Sequence, residues 1–227
     1  MYISRLSLRH DPGAAGSLAA LLAERIAAGT AYDAHRLVWS LFGCTGDQER
    51  DFLFRQTSGP GEFIAVSARA PTDRHDLWRI ETKPYDPQVR SGERLAFSLR
   101  ANPVVKRIHE SGKPQRADVV MDLKWRLKRA GAEVPSQPAL VEQAGLDWLT
   151  GRSARHGFAI EPAAVRVDGY IQHRFETGSG GQPIRLSSLD FDGVLTVIDP
   201  GRFRAALFSG IGPAKAFGFG LLLIRRV

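Results

Sequence analysis

Tyr32 and His35, three residues apart, and Lys215, set among four glycines, are the residues of this chain whose types and spacing could do chemistry. In Ala31-Tyr32-Asp33-Ala34-His35-Arg36-Leu37 the tyrosine and histidine share one face if the segment is helical. Leu37, Val38, Leu41 and Phe42 supply the apolar stripe of that helix, with Trp39 at its margin, and neither Tyr32 nor His35 lies on the stripe. A histidine titrates near neutrality and can pass a proton at physiological pH. A single histidine on a helix is nevertheless more often structural or merely exposed, and residue type alone leaves both readings open.

The second stretch is Ser209-Gly210-Ile211-Gly212-Pro213-Ala214-Lys215-Ala216-Phe217-Gly218-Phe219-Gly220, followed by the apolar run Leu221 to Ile224. Glycines permit positive φ, and successive N–H groups in such a turn can line a concavity that takes an anion. On that reading Gly210, Gly212, Gly218 and Gly220 shape a loop with phosphate as its guest, and Lys215 adds a full charge. The plain alternative is a tight turn before a strand. The Walker pattern is absent. No spacing of histidines or carboxylates suits a metal, the single Cys44 excludes a cysteine cluster, and no cofactor is called for.

These residues need elements to hold them. Tyr2 to Leu8 alternates as a first strand, and Leu18, Leu21, Leu22 and Ile26 recur at helical spacing. Gly29-Thr30 separates this helix from the one carrying His35. Asp51 to Gln56 and Phe63 to Ala68 read as strands around Ser58-Gly59-Pro60-Gly61. With a short turn and strand over 72–82, the order is β-α-β-β-(α)-β, that of a ferredoxin-like domain. Pro84, Pro87 and Ser91-Gly92 mark a linker, which divides the chain into domains 1–90 and 91–227. Arg94 to Ala101 alternates and opens the second domain. Leu140 to Leu149 is helical, and Val165 to Phe175 and Ile184 to Ile198 form a long hairpin around Thr177-Gly178-Ser179-Gly180-Gly181. Asp199-Pro200 starts a helix to about Phe208, with Asp199 as its cap. The whole is therefore an α+β protein of two tandem ferredoxin-like βαββαβ domains.

The first domain is electrically neutral, with 11 basic and 11 acidic residues in 1–90; the second holds 20 and 13, so the whole net charge of +7 lies there. Arginine supplies 25 of the 31 basic residues, and its planar fork suits phosphate. Such an asymmetry points to a polyanionic partner. Residues 106–129 concentrate Lys106, Arg107, Lys113, Arg116, Lys124, Arg126, Lys128 and Arg129. The segment reads either as a solvated loop and helix face or as a partly disordered segment that orders on a polyanion. Arg166, Arg174 and Arg185 lie on or beside the long hairpin. No apolar run approaches the ~20 residues of a membrane span. The N-terminus has no apolar leader, so a cytoplasmic protein is expected.

The wording GIGPAKAFGFGLL, the N-terminal Met1-Tyr2-Ile3-Ser4-Arg5-Leu6 and the internal Leu99-Arg100-Ala101-Asn102-Pro103 resemble the CasE family, the CRISPR repeat endoribonucleases of type I-E systems. The resemblance spans nearly the whole chain. It implies that Tyr32 and His35 match the family's tyrosine and catalytic histidine, and that Lys215 matches its glycine-loop lysine. Arg174 matches a basic position on the RNA-gripping hairpin. Arg36, next to His35, reads either as a holder of the scissile phosphate or as a solvated helix residue. Ser40 and Phe175 depart from basic or polar family positions. The resemblance further implies metal-independent cleavage of a repeat stem-loop at the 3′ base of its stem. The 2′-oxygen would attack, leaving a 2′,3′-cyclic phosphate or 3′-phosphate and a 5′-hydroxyl. The product would stay bound within the type I-E interference complex, whose other subunits are the expected partners. A non-catalytic RNA-binding subunit is the alternative, and a nucleotide-binding protein using the glycine loop a weaker one.

Overall fold

The computed structural model describes residues 1–9, 14–28, 31–43, 50–57, 59–108, 112, 114–175 and 183–227. Strand β1 (Tyr2–Leu8) is followed by helices α1 (Ala14–Ala28) and α2 (Ala31–Ser40), then by β2 (Phe52–Gln56), β3 (Glu62–Ser67) and β4 (Trp78–Pro84). These four strands form one antiparallel sheet in the order β2-β3-β1-β4. The second sheet has the order β10-β5-β9-β8, built from β5 (Arg94–Ala101), β8 (Phe158–Phe175), β9 (Ile184–Val197) and β10 (Leu222–Arg226). Counted within its own half, each sheet has its third strand beside its first and its fourth on the first strand's other edge. The two halves thus share the ferredoxin-like strand order.

They differ in what joins the strands. In the first half both helices precede β2, and the crossover from β3 to β4 (residues 68–77) contains no helix. Asp73 replaces one locally: its carboxylate accepts from the N–H groups of His75 and Trp78. In the second half, β5 leads into a small hairpin of β6 (Val104–Ile108) and β7 (Pro114–Asp118). Helices α3 (Val119–Arg129) and α4 (Gln137–Ser153) follow, and α5 (Pro200–Ser209) fills the second crossover. The basic segment read as partly disordered is therefore, where described, a hairpin and a helix. Asp118 caps α3 by accepting from Met121 N–H, and Asp199 caps α5 by accepting from Arg202 N–H, with Pro200 in the first turn.

Strand alternation separates two cores and joins them through a third. Phe52 and Phe54 of β2 and Phe63 and Ala65 of β3 face α1 and α2, together with Leu6, Leu8, Val38 and Leu41. Leu53 and Val66 point the other way and are buried against Leu221, with Ile3, Ile64, Phe208 and Leu223 around them. The back of the first sheet is thus the docking face for the second domain. Arg55 crosses the same junction, donating to Ser98 Oγ at 2.7 Å and lying 3.7 Å from Asp190. Asp190 is also gripped by both arms of the Arg100 fork, at 2.8 Å each. The second domain's own core gathers Leu99, Leu140, Trp148, Phe158, Phe191 and Phe203 among others.

Candidate active site and nucleic-acid cleft

Helix α2 and the turn after it bury Ala34, Val38, Leu41 and Phe42, and the helix turns His35 toward the C-terminal glycine loop. His35 Nδ1 lies 2.6 Å from the carbonyl oxygen of Ala216, 181 residues away. A carbonyl can only accept, so Nδ1 carries the hydrogen and Nε2 is the ring nitrogen with a lone pair able to take up a proton. The ring is steadied by Trp39 and Phe217, at centroid distances of 5.0 and 5.6 Å. Burial lowers the His35 pKa below 6.5; the Ala216 bond opposes this, and the charges of Arg50 and Arg36 add to the lowering. Tyr32 lies one turn earlier on α2, and its side chain is outside the described residues.

The glycine loop is a latch between domains rather than an open anion cradle. Gly210, Gly212, Gly218 and Gly220 all have positive φ, from 74° to 88°. At Gly220, with φ of 88°, an added Cβ would stand 2.7 Å from the Ile211 carbonyl oxygen; at Gly218 it would meet the Phe54 ring of β2 at 3.1 Å. Five loop N–H groups are already taken up by backbone carbonyls. Gly210 donates to Ala206, Ile211 to Gly220, Phe217 to Ala214, Gly218 to Lys215, and Gly220 to Arg100. The loop's contribution is therefore its shape, the Ala216 carbonyl and the Lys215 ammonium. Burial, and then the charge of Arg50, hold the Lys215 pKa below its ordinary value. Arg50 thus acts electrostatically on both His35 and Lys215 and marks a cationic spot where the two domains meet. Sequence reading missed Arg50, which stands in the charged run Asp47-Gln48-Glu49-Arg50-Asp51 and looks like solvated loop.

A cleft of about 870 Å³ opens beside this spot, lined by Arg116, His173, Arg174, Arg185, Ser187 and Phe217 among others. The cleft ends on Phe217, whose ring centroid lies 5.6 Å from that of His35; the histidine itself stands behind this ring and is not part of the lining. His173 Nε2 lies 2.9 Å from Ser188 Oγ, and its pKa is lowered by burial first and by Arg100 second. Arg174 of β8 stands directly opposite Arg185 of β9, and Lys106 of β6 opposite Arg116 of β7. Like charges facing each other across a strand pair destabilise a sheet, so both pairs suit a bound polyanion.

The remaining candidates fall elsewhere. Arg107 is held by Asp122 through two bonds of 2.6 Å, with Arg126 on the same carboxylate at 3.0 Å. That pairing, the Arg107 bonds first, keeps the Asp122 carboxyl below its usual range. Arg107 therefore fastens the hairpin to α3. Arg166 lies 3.2 Å from Asp168 and 3.6 Å from Asp192, away from the cleft lining. Arg36 is exposed on α2. Lys113 and the hairpin tip at 177–181 lie outside the described residues. Among the described residues no group of three or more His, Cys, Asp or Glu could hold a metal ion, and no helix is long and apolar enough to cross a membrane.

Comparison with known proteins identifies the lineage of this arrangement. The family model for CRISPR associated protein matches residues 1–226. The chain belongs to that family. It is 32% identical over 198 residues to the CRISPR system Cascade subunit CasE of Escherichia coli, covering 84% of this chain and 89% of the relative. It is 30% identical over 189 residues to the CRISPR-associated endoribonuclease Cse3 of Thermus thermophilus, covering 83% and 79%. The fold matches that of a CRISPR endoribonuclease Cse3 solved with a 19 nt RNA, at a TM-score of 0.69, 24% identity and coverage of 99% and 100%. It also matches Cas6e of E. coli at a TM-score of 0.56, 23% identity and full coverage of both chains.

Proposed function

We propose that this chain is a metal-independent endoribonuclease that cuts a CRISPR repeat stem-loop at the 3′ base of its stem. The observation carrying the reading is His35, with its Nδ1 hydrogen fixed on the Ala216 carbonyl and its ring against Phe217, a residue that lines the cleft together with three arginines. The curated relatives named for CRISPR endoribonuclease activity and for the Cascade complex support it.

The 2′-oxygen attacks the adjacent phosphorus, its proton leaves to a base, and the bond from phosphorus to the 5′-oxygen breaks as that oxygen gains a proton. His35 Nε2 handles one of these protons, a task worth ~10²–10⁴-fold. Tyr32, one turn away, positions the 2′-hydroxyl or shares the transfer. Lys215 and Arg50 neutralise the phosphate as charge builds on its oxygens. The lowered pKa leaves His35 largely neutral when no RNA is bound, and a phosphate beside it restores the charged form. A-form RNA buries its base edges in a deep, narrow groove, so Arg116, Arg174 and Arg185 grip the stem by shape and backbone. The division lies between domains 1–90 and 91–227: the first carries the histidine and the second supplies the grip. The cut product is retained, and the chain works in the cytoplasm as a subunit of a type I-E interference complex.

The test is cleavage of the host's own labelled repeat RNA in EDTA, with the product ends identified. Cutting at one site below the stem, leaving a cyclic or 3′-phosphate and a 5′-hydroxyl, is the expected result. Tight binding without cutting would replace this reading with a non-catalytic RNA-binding subunit. Cutting only after divalent metal is restored would refute the metal-independent mechanism.

A further inference from the structure

Helix α3 has one side that the cleft does not account for. Its inner side, Val119, Val120, Leu123 and Leu127, packs into the second core, and Asp122 accepts from both Arg107 and Arg126. The opposite side carries Met121, Lys124, Trp125, Lys128 and Arg129, which fall within one arc of the helix at 100° per residue. Trp125 is 56% exposed and Met121 48%, side by side on this face. The Arg129 guanidinium lies over the Trp125 ring, 5.1 Å from its centroid. Three of the five residues are cations and none is an acid.

We propose that this face is a docking site for unpaired nucleotides adjoining the RNA in the cleft. Trp125 stacks on a base, and Lys124, Lys128 and Arg129 face the neighbouring phosphates. The inference rests on the RNA reading given above. Flat aromatic surface interleaved with cations is the chemistry that holds single strands irrespective of sequence. A protein partner would have to present an acid to each cation, whereas a nucleotide chain supplies a planar ring and an anion at every step. The helix that carries this face also starts at the cleft. Asp118, the cap of α3, lines the cleft, and Trp125 stands seven residues further along, about 10 Å down the helix axis. That is the reach of one or two nucleotides leaving the stem.

The experiment uses the full chain and a repeat hairpin RNA closed by a stable loop, either bare or with four unpaired nucleotides at one end or the other. Fluorescence anisotropy at fixed salt gives Kd for each. In the wild type, one of the two extensions is expected to tighten binding by about fivefold or more, the range that base–aromatic stacking spans. Trp125→Ala removes that gain and leaves affinity for the bare hairpin unchanged; Trp125→Tyr keeps most of it. The fluorescence lost in Trp125→Phe is expected to be the part quenched by the extended RNA. An equal gain in wild type and Trp125→Ala, or no gain at either end, overturns the proposal. Unchanged RNA binding by Trp125→Ala with failure to join the other complex subunits also overturns it and assigns the face to a protein. Failure of the wild type to bind the bare hairpin would overturn the RNA reading of the cleft itself, a separate outcome. Trp125 is exposed, so thermal melting of the variants should match the wild type.

Discussion

Replacing His35 by alanine and by asparagine separates the observed bond to Ala216 from the proton transfer proposed for the ring. Alanine removes the exchanging nitrogen, the donor to Ala216, and the ring that meets Trp39 and Phe217. A half-buried carbonyl left without a donor costs roughly 1–3 kcal/mol. Asparagine places an amide N–H near the position of Nδ1 and restores that donor, while nothing replaces Nε2. In urea unfolding, His35→Ala is therefore expected to lose about 1–3 kcal/mol. His35→Asn should lose less than about 1 kcal/mol, chiefly from the smaller side chain. In single-turnover cleavage at saturating enzyme, both should fall about 10²–10⁴-fold. That corresponds to roughly 3–5 kcal/mol on the barrier, with RNA affinity held within a few-fold. Asparagine cutting within tenfold of wild type would show that no proton passes through Nε2. Equal stability of the two variants would refute the account of the Ala216 bond.

Three further outcomes follow from the geometry. Arg174→Ala should lower the salt dependence of RNA binding by roughly one ion and raise the free protein's stability by a few tenths of a kcal/mol, since it relieves the repulsion with Arg185. Arg166→Ala, whose fork already meets Asp168 and Asp192, serves as the control with little change in binding; similar losses in both would put the RNA elsewhere. Gly220→Ala forces a side chain into positive φ and against the Ile211 carbonyl, so urea unfolding should show a loss of about 2–4 kcal/mol, and a loss under about 0.5 would mean the latch yields easily. Burial first of all lowers the pKa of His35, His156 and His173 below 6.5, so the unfolded chain binds protons that the folded chain refuses. Stability is then full above 6.5 and falls as pH drops through it, while RNA binding tightens over the same interval; urea midpoints that stay flat or rise on acidification would contradict this.

Local signals in the chain announced the elements they control. Alternation over Arg94 to Ala101 matched β5 residue for residue, and Asp199-Pro200 began α5 where cap chemistry requires. The stretch after β3 was ambiguous because Asp73 satisfies the turn's N–H groups through a side chain, which leaves no helical period to read. The β6–β7 hairpin was hidden because Lys106, Arg107 and Arg116 make its strands look like a solvated charged run. Residue types singled out Tyr32, His35 and Lys215, yet they could not show that α2 and the glycine loop touch. That contact runs through a main-chain carbonyl, which has no residue signature. The same limit applies to Arg50, whose significance comes from the neighbours that folding gives it.

The bond between His35 and Ala216 also sets an order of events during synthesis. The ribosome releases the α2 histidine early and the orienting carbonyl 181 residues later. A nascent first domain therefore holds the ring without the partner that fixes its tautomer, and without the second domain's arginine-lined cleft. Both arrive together, when the loop after α5 closes on β2. A chain interrupted before that loop keeps the histidine and lacks the carbonyl that orients its ring.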